Sequence, residues 1–479
     1  MLSVLVPMLL VVATRADQPA GTDVSGYLDA MVDSGVPGVA VVVIQGDKVL
    51  TATGHGSTGS GSADANTRFR VASLTKSFTA TAVLQLVQKG SVDLDRPVAS
   101  YLREFCTADD RSDRITVRQV LNQSSGLTDR TLGFNQYAAR PTNAEEAVAL
   151  LRDSRLAYDP ETSWDYSNPN YWLAARLVEV VSGEAFSDYL ARHIFTPLGM
   201  RRTSHYDVPG QAPAVAESHS YVFGHPLHLD DPDSFAGGAG GVVTTANDLG
   251  RWLRFQHGYS VLGQQGEVLS STLLQEQHRR QSPLQEYSVG YALGWWNGEP
   301  ADGGISRISH SGTGAGTSAY EGLFPGGIGI GVLINAGTPR ADVVAADLYA
   351  LVSGESLQDV ATAPAPWPDV IAVVAVIAVG ALGLRGIRNA RKWAVKGNTA
   401  ARWTIVALLL VVSACLVAVP WIGGRVVARQ ADWTVLFYTA PVPSAAVLIG
   451  AVCLLLLAAA RSVALLRNRG MTGDYVLRP

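Results

Sequence analysis

The chain has 479 residues, a hydrophobic content of 47% and a formal net charge of -4. This length is too great for one ordinary domain and sufficient to bury a substantial core. The slightly acidic balance gives no reason to expect a nucleic-acid partner.

The first predicted element is a short apolar run, MLSVLVPMLLVVA (1–13), followed by TRADQPAGTD. This order resembles the apolar segment and the small-residue exit of a secretory signal, although no basic residues precede it. We therefore predict that residues 1–20 are a signal peptide or an uncleaved N-terminal anchor. Both interpretations indicate export of the domain that follows.

Residues 23–355 are predicted to form a domain with strands at both ends and helices between them. VPGVAVVVIQGDKVLTATGHGS (36–57) predicts a β-hairpin around the turn QGDK, and strand patterns return from Tyr291 until a final helix near 341–352. Helical patterns occupy the middle of the domain, at 115–129, 168–200 and 236–256. The order predicts an α+β fold, in which an antiparallel sheet built from both ends carries an inserted helical region.

RVASLTKSFTATAVLQL (70–86) is an apolar helical pattern that carries Ser73 and Lys76. Lysine is rare before residue 370, where only Lys48 and Lys89 accompany it, at a turn and at a helix end. Residues three apart share one helix face. Burial favours the neutral form of a lysine, in which it can act as a base. The pattern predicts a serine nucleophile at a helix N-terminus with its base one turn away, although the same spacing also occurs by chance.

Two further stretches could complete such a site. Tyr166 and Asn168 lie two apart in ETSWDYSNPNYW (161–172), so one loop could project both side chains into a cleft; Asn168 could instead cap the next helix. His310 lies in ISHSGTGAG (308–316), where glycines would let a substrate lie along a strand edge and N–H groups could bind an oxyanion. Taken alone, that stretch is equally compatible with a glycine-rich turn and a surface histidine.

Together these motifs resemble the serine β-lactamases and penicillin-recognising DD-peptidases, in the branch of class C β-lactamases, D-amino-acid peptidases and related esterases. The three elements would be SLTK (73–76), YSN (166–168) and HSG (310–312), in the order of that family. The resemblance covers about residues 23–352. It implies an antiparallel sheet flanked by helices and a reaction that needs no cofactor.

The resemblance also implies a role for each residue of these motifs. Ser73 would be the acylated nucleophile, and Lys76 its base or a group that lowers the pKa of its neighbours. Tyr166 would relay protons to the leaving group and the deacylating water, and which of Lys76 and Tyr166 takes the first proton stays open. Asn168 would hold the acyl amide of the substrate. The backbone N–H groups of Ser73 and Thr313 would form the oxyanion hole.

His310, which precedes Gly312 in the implied substrate-binding strand, departs from the family pattern. Many β-lactamases have a lysine there, which is a permanent cation, whereas histidine is largely neutral near pH 7. The departure weakens the case for β-lactams or a peptide carboxylate as substrate. We therefore predict a serine hydrolase for a small peptide, amide or ester, with cell-wall peptides among the candidates.

One histidine-rich loop lies outside these motifs. FGHPLHLDD (223–231) contains His225, His228, Asp230 and Asp231, but proline interrupts it and its spacing is not that of a metal site. We interpret it as a solvated loop and expect no bound metal.

Three apolar runs follow the domain: Val370–Leu384, Trp403–Gly424 and roughly Trp433–Ala460. The last two are long enough to cross a bilayer, which takes about 20 residues. The first, about 22 Å long at roughly 1.5 Å per residue, spans only if Trp367 and the arginines after the run reach the two interfaces. A Pro-rich linker, 356–369, would precede a three-helix transmembrane region, 370–479.

Charge predicts the orientation of these helices. The connection between the first two runs carries six lysines or arginines and no acid, and Arg461, Arg467 and Arg469 follow directly after the third run. The other connection has two arginines and Asp432. The positive-inside rule therefore places the first connection and the C-terminal tail in the cytoplasm. The chain would then be a multi-pass protein of the cell membrane, in contact with lipid through these helices, with its catalytic domain outside.

Two other functions are compatible with the sequence. A catalytically slow penicillin-binding or receptor-like module would bind its ligand or be acylated without efficient turnover. A transport function of the helices is disfavoured because the three runs contain no central Asp, Glu, Lys or His.

Overall fold

The computed structural model describes residues 15–17, 23–135, 139–230, 232, 234–259, 267–281, 289–299, 305–355, 357, 359–395, 398–426 and 432–473. The strands are β1 (Arg15–Asp17), β2 (Gly38–Gln45), β3 (Lys48–Gly56), β4 (Phe69–Arg70), β5 (Ser204–His205), β6 (His219–Val222), β7 (His225–His228), β8 (Val242–Thr244), β9 (Val289–Tyr291), β10 (Trp296–Gly298), β11 (Arg307–Gly314), β12 (Thr317–Phe324), β13 (Ile328–Ile334) and β14 (Asp359–Ala361).

The α-helices are α1 (Val24–Asp33), α2 (Thr75–Gln88), α3 (Val117–Leu121), α4 (Ala144–Ala149), α5 (Asn168–Ser182), α6 (Phe186–Leu190), α7 (Gly237–Gly240), α8 (Ala246–Gln256), α9 (Ser271–His278), α10 (Ala341–Val352), α11 (Trp367–Arg388), α12 (Ala390–Val395), α13 (Thr399–Val417), α14 (Val419–Val426), α15 (Trp433–Thr439) and α16 (Pro441–Gly473). Short 3-10 turns and one π-helical turn, Ala191–Phe195, join some of them.

An antiparallel sheet of seven strands lies at the centre of the domain, in the order β3-β2-β13-β12-β11-β10-β9. Two of its strands come from the start of the domain and five from its end, so the predicted α+β arrangement is confirmed. The predicted hairpin is β2–β3, in which Gln45 pairs with Lys48. YALGWWNG (291–298), part of the later strand pattern, forms the end of β9 and β10 with a turn at Gly294, whose φ is +81°.

Both faces of this sheet are buried, which explains the continuous apolar run of β2. Alternate residues of a strand point to opposite faces. The side chains of Ala40, Val42 and Ile44 join the core shared with the inserted helices, and those of Val39, Val41 and Val43 join the core shared with α1 and α10. A strand covered on both sides needs apolar residues at every position rather than at every second one.

The predicted helices of the middle region are present, with one shorter than expected. The pattern at 115–129 gives only α3, which begins with a capping box formed by Thr116 and Gln119. The pattern at 168–200 gives α5 and α6, separated at Gly183 with its left-handed φ of 74°. The side chain of Thr245 accepts a hydrogen bond from the N–H of Asp248 and caps α8.

Among the described residues, three helices are long and apolar enough to cross a membrane: Trp367–Arg388, Thr399–Val417 and Pro441–Asn468. The first contains 22 residues and is about 33 Å long at roughly 1.5 Å per residue. The short first run lies inside this helix, which continues on both sides through the residues expected to reach the interfaces, Trp367, Arg385 and Arg388. The third run does not begin at Trp433 as expected. It breaks at Ala440, since a residue before proline avoids the helical conformation.

The segment predicted as a linker contains regular structure at both ends. β14 pairs with β1 in antiparallel register, with Ala16 opposite Val360, and α11 already begins at Trp367. Extended, proline-containing chain is thus confined to residues 362–366. Apart from β1, the predicted signal or anchor of residues 1–20 lies outside the described residues and stays a prediction.

A carboxyl group is buried in the core between the sheet and α8. The side chain of Glu321, on β12, is fully buried, and Trp252 Nε1 donates to its Oε2 at 2.8 Å. Burial raises the pKa of Glu321 from 4.5 to about 8. The folded domain therefore holds this group protonated at pH values where an unfolded chain would release the proton.

We expect Glu321→Gln to remove a pH-dependent loss of stability. Because the pKa of Glu321 is about 8 in the folded state and 4.5 when unperturbed, the protonated carboxyl stabilises the fold at low pH. This contribution declines as the pH rises from about 5 to 8. Thermal unfolding should show the midpoint of wild type falling relative to that of the variant over this range. Parallel midpoints in the two proteins would contradict the prediction.

Candidate active site

Ser73 lies in a 3-10 turn, Ala72–Leu74, immediately before α2. Ser73 therefore lies where the helix begins, at the predicted N-terminal position, but in the preceding 3-10 turn and not in the α-helix itself. Ala72 has a φ of 45°, in the left-handed region that side chains with a Cβ seldom adopt. Such a conformation costs on the order of 1–3 kcal/mol and is characteristic of functional turns.

Lys76 is fully buried one turn after the serine. Its Nζ donates to Ser73 Oγ at 3.0 Å, to Asn168 Oδ1 at 3.0 Å and to the carbonyl oxygen of Ala239 at 2.9 Å. The three acceptors belong to the turn before α2, to the start of α5 and to α7. The structure thus brings Ser73 and Asn168 each into direct contact with Lys76.

Two tyrosine rings surround the Lys76 nitrogen. Nζ lies 4.8 Å from the ring centroid of Tyr166 and 5.6 Å from that of Tyr171, within the range of cation–π contacts. The hydroxyl of Tyr171 donates to the carbonyl of Leu121 at 2.7 Å, and burial raises the pKa of Tyr171 well above 10, so this phenol stays protonated. Tyr166, unlike Tyr171, is only half-buried.

The structure decides between the two interpretations of Asn168, as a residue of the cleft or as a helix cap. α5 begins at Asn168 itself, and the capping position belongs to Ser167. The interpretation of Asn168 as a helix cap is therefore wrong. Its side chain contacts Lys76 and lines the cleft above Ser73, where a substrate amide would lie.

His310 is buried on β11 and is not the surface histidine of the simpler interpretation; only 2% of it is exposed. Its Nδ1 lies 2.8 Å from the carbonyl oxygen of Ser311, which can only accept, so Nδ1 carries the proton. Nε2 then accepts from the Tyr291 hydroxyl at 3.1 Å. Burial, with a contribution from nearby Lys76, lowers the pKa of His310 to about 3. His310 is therefore neutral at physiological pH and supplies no charge for a substrate carboxylate.

The edge of β11 is open next to the nucleophile. β10 pairs only with Arg307–Ser309, so among the described strands none covers residues 310–314 on that side. A Cβ at Gly312 would lie 2.1 Å from the carbonyl oxygen of Val71, so only glycine lets β11 pack against the chain that enters the Ser73 turn. Thr313, one residue later, is exposed and lines the cleft.

A cleft of about 180 Å³ opens over Ser73. Its polar lining residues include Arg70, Asn168 and Thr313. Its aromatic lining residues are Trp172, Tyr206 and Phe235. The rings of Trp172 and Phe235 meet edge to face with their centroids 5.5 Å apart. The cleft over Ser73 is therefore lined both by hydrogen-bonding groups and by a wall of aromatic rings.

Three contributors to this site were not identified from the sequence. Tyr291 was noted only as the start of the returning strand patterns, and Tyr171 only as part of the stretch 161–172. Both could have been found as aromatic residues close to a predicted site motif. The contribution of Ala239 could not be recognised in the sequence, because it is made by a backbone carbonyl group and every residue has such a group.

Chemically, the site places a hydroxyl beside a buried amine and an open strand edge beside the hydroxyl. A nucleophile activated by an adjacent base is the arrangement of covalent acyl transfer. Backbone N–H groups at a helix start and a strand edge can stabilise the oxyanion that forms. Nothing in this set of residues depends on a metal ligand.

A family model described as beta-lactamase matches residues 24–354. Penicillin-binding protein 4 of Amycolatopsis lactamdurans is 31% identical over 338 residues, covering 67% of this chain and 86% of that protein. Protein flp of Staphylococcus aureus (strain MW2) is 24% identical over 297 residues, covering 58% of this chain and 55% of that protein. The chain therefore spans about half the length of the flp relatives.

Solved structures give the same picture of the fold. A D-stereospecific amidohydrolase from Streptomyces sp. is 28% identical with a TM-score of 0.55, covering 70% of this chain and 100% of that one. The octameric penicillin-binding protein homologue from Pyrococcus abyssi is 24% identical with a TM-score of 0.60, covering 70% and 78% of the two chains. The match to the family model ends before the apolar C-terminal helices.

We expect Gly312→Ala to damage the site by displacing β11. The new Cβ would lie 2.1 Å from a backbone oxygen that cannot rotate away. The free energy of unfolding should fall by about 1–3 kcal/mol, as for other overpacked sites, and kcat/KM on an ester substrate should fall with it. Gly337→Ala is the control, because a Cβ there meets no atom within 4 Å. Equal activity and stability of the two variants would refute the packing argument.

Proposed function

Because the chain belongs to the β-lactamase family and Lys76 Nζ lies 3.0 Å from Ser73 Oγ, we propose that it is a serine hydrolase working through an acyl-enzyme at Ser73. This contact is the observation that carries the proposal. A serine hydroxyl attacks a carbonyl only when a base removes its proton. A neutral Lys76 amine has two N–H groups and one lone pair. In that form it would accept the proton of Ser73 Oγ while its hydrogen bonds to Asn168 and Ala239 remain.

The reaction has two halves. Ser73 Oγ attacks the substrate carbonyl and passes its proton to Lys76 or to Tyr166, and the N–H groups of Ser73 and Thr313 stabilise the oxyanion. The bond to the leaving group then breaks as that group takes the proton. In the second half a water molecule attacks the acyl-enzyme, Ser73 leaves as the alcohol and the acid product is released.

We propose an amide, ester or small peptide with an apolar acyl group as the substrate. The wall of Trp172, Tyr206 and Phe235 favours an apolar group, and Asn168 offers an amide for hydrogen bonding. The neutral His310 disfavours a carboxylate at its position. A D-amino acid amidase from Ochrobactrum anthropi SV3, solved with D-phenylalanine, has the same fold. Amides of D-phenylalanine are therefore the first compounds to test.

We also propose that the three C-terminal helices hold the domain at the outer face of the cell membrane. The basic connection between α11 and α13 and the basic residues after the third span support this orientation. The start of α11 also contacts the domain directly: the N–H of Phe223 donates to Asp369 Oδ2 at 2.6 Å. Residues before 370 would then meet substrates outside the cytoplasm.

Substitution of the nucleophile tests the hydrolase proposal directly. The covalent probes are a fluorescent fluorophosphonate and a fluorescent penicillin. We expect wild type to be labelled by both probes or by the fluorophosphonate alone. Ser73→Ala should lose all label. Hydrolysis of p-nitrophenyl esters and of D-phenylalanine amide should fall at least about 10³-fold in the variant, as for other catalytic nucleophiles. Ser77→Ala, one turn further along α2, should keep the label.

The outcomes separate the two candidate functions. Label at Ser73 without turnover of esters, amides, D-Ala-D-Ala peptides or a β-lactam would favour the slow penicillin-binding module. Label that persists in Ser73→Ala would reject Ser73 as the nucleophile.

A native cysteine tests the orientation. Cys106 is exposed on the domain, so a membrane-impermeant maleimide should label it in intact cells, and Cys106→Ser should abolish that label. In the Cys106→Ser background, Arg391→Cys should react only after the membrane is opened, because residue 391 lies in the connection predicted to be cytoplasmic. The reverse pattern of labelling would overturn the proposed topology.

A further inference from the structure

Outside the cleft, two histidines and a glutamate meet on the hairpin β6–β7. His219 and His228 are directly opposite each other in the antiparallel register of the two strands. Glu217 precedes His219 by two residues, which places it on the same side of an extended chain. One potential ligand atom from each of these three side chains lies within 4.8 Å of the others. We propose that Glu217, His219 and His228 form a binding site for a divalent transition-metal ion, with zinc as the best fit.

The protonation of His219 is already that of a metal ligand. Its Nδ1 lies 3.1 Å from the carbonyl oxygen of Asn335. A carbonyl only accepts hydrogen bonds, so Nδ1 carries the proton and Nε2 carries the lone pair. Zinc-binding histidines typically donate their second ring nitrogen to a carbonyl or carboxylate in this way, which fixes both the tautomer and the ring orientation.

The second histidine lies between two carboxylates. His228 Nδ1 is 3.8 Å from Glu217 Oε2, and His228 Nε2 is 3.5 Å from Asp230 Oδ1. Both distances exceed those of ordinary hydrogen bonds. The ring therefore faces two negative groups without being committed to either. Two imidazoles and one carboxylate form a ligand set that zinc takes in proteins, with water at its fourth position.

Only small movements are needed to close the site around an ion. Bonds of about 2.0–2.2 Å in a tetrahedral site place neighbouring ligand atoms roughly 3.4 Å apart. The side chains of Glu217 and His228 are 43% and 49% exposed, so both can rotate without disturbing the core. His219, whose ring is already oriented by Asn335, would be the fixed ligand.

The position of the hairpin suggests what the ion would do. The N–H of His219 donates to the carbonyl of Gly316 at 3.1 Å, and a Cβ at Gly316 would lie 2.7 Å from His219 N. Gly316 belongs to the turn between β11 and β12, and the residues just before it, Thr313–Ala315, line the cleft. An ion on His219 would therefore fix the end of the substrate-binding strand in place.

The sequence argued against a metal here because the spacing within 223–231 resembles no known motif. The hairpin register removes that objection. It brings His228 next to His219 and Glu217, which lie before the stretch considered, and leaves His225 out of the group.

The full-length protein in detergent, purified without a polyhistidine tag and stripped with EDTA, tests the site. Co²⁺ is the spectroscopic probe and Zn²⁺ the competitor. We expect one Co²⁺ per chain with the visible absorption of a tetrahedral ion, displaced by Zn²⁺, and a higher midpoint of thermal unfolding with either metal. Loss of a residue that only supports a metal ligand weakens metal binding by up to about 100-fold. Because His228→Ala and Glu217→Gln each remove a direct ligand, we expect either variant to weaken Co²⁺ binding at least about 100-fold.

His225→Ala is the matched control, since His225 lies on the same strand, is exposed and is not part of the group. It should bind Co²⁺ as wild type does. His228→Ala and Glu217→Gln change exposed side chains, and their thermal unfolding without metal shows that they fold. Wild type that gives no tetrahedral spectrum, or His228→Ala that binds as tightly as His225→Ala, would overturn the proposal.

Discussion

The buried amine of Lys76 is the constraint on which the site depends. A polar group removed from water must find its hydrogen-bond partners within the protein, or folding bears the full cost of its desolvation. Lys76 finds them on Ser73, Asn168 and the carbonyl of Ala239, which come from three separate segments. The Nζ atom of Lys76 is therefore hydrogen-bonded to three parts of the fold: the turn before α2, the first residue of α5, and α7. Ser73 is positioned by the same contacts that make the burial of Lys76 tolerable.

The sequence could predict the parts of this arrangement that are local. Ser73 and Lys76 are one turn apart, Tyr166 and Asn168 belong to one stretch of chain, and the apolar run of β2 is visible without knowledge of its neighbours. The contacts between distant segments could not be predicted in this way. The hydrogen bond from Lys76 to Ala239 uses a backbone carbonyl, and the pair of His310 and Tyr291 depends on how β9, β10 and β11 associate.

The differences from expectation have physical causes that sequence patterns do not carry. Hydropathy could not show that Pro441 would break the third apolar run at the residue before it. α11 extends beyond its apolar run on both sides, through the flanking residues that were expected at the two interfaces. The spacing of residues along the chain did not reveal the group of Glu217, His219 and His228. In a hairpin, residues at equal distances from the turn lie opposite each other, and this pairing brings His228 next to His219. Each case requires knowledge of chain direction or pairing in addition to composition.

The N-terminal end of α11 packs directly against the domain and is not separated from it by a long flexible linker. The N–H of Phe223 donates to Asp369 Oδ2, and a Cβ at the neighbouring Gly224 would lie 3.1 Å from the carbonyl of Pro364. With the topology proposed above, the cleft would keep a constant height and tilt over the lipid surface. A molecule anchored in the bilayer could react only if its scissile bond reached that height, whereas a freely diffusing one would meet no such limit. Selection among membrane-bound molecules would then depend on reach as well as on chemical structure.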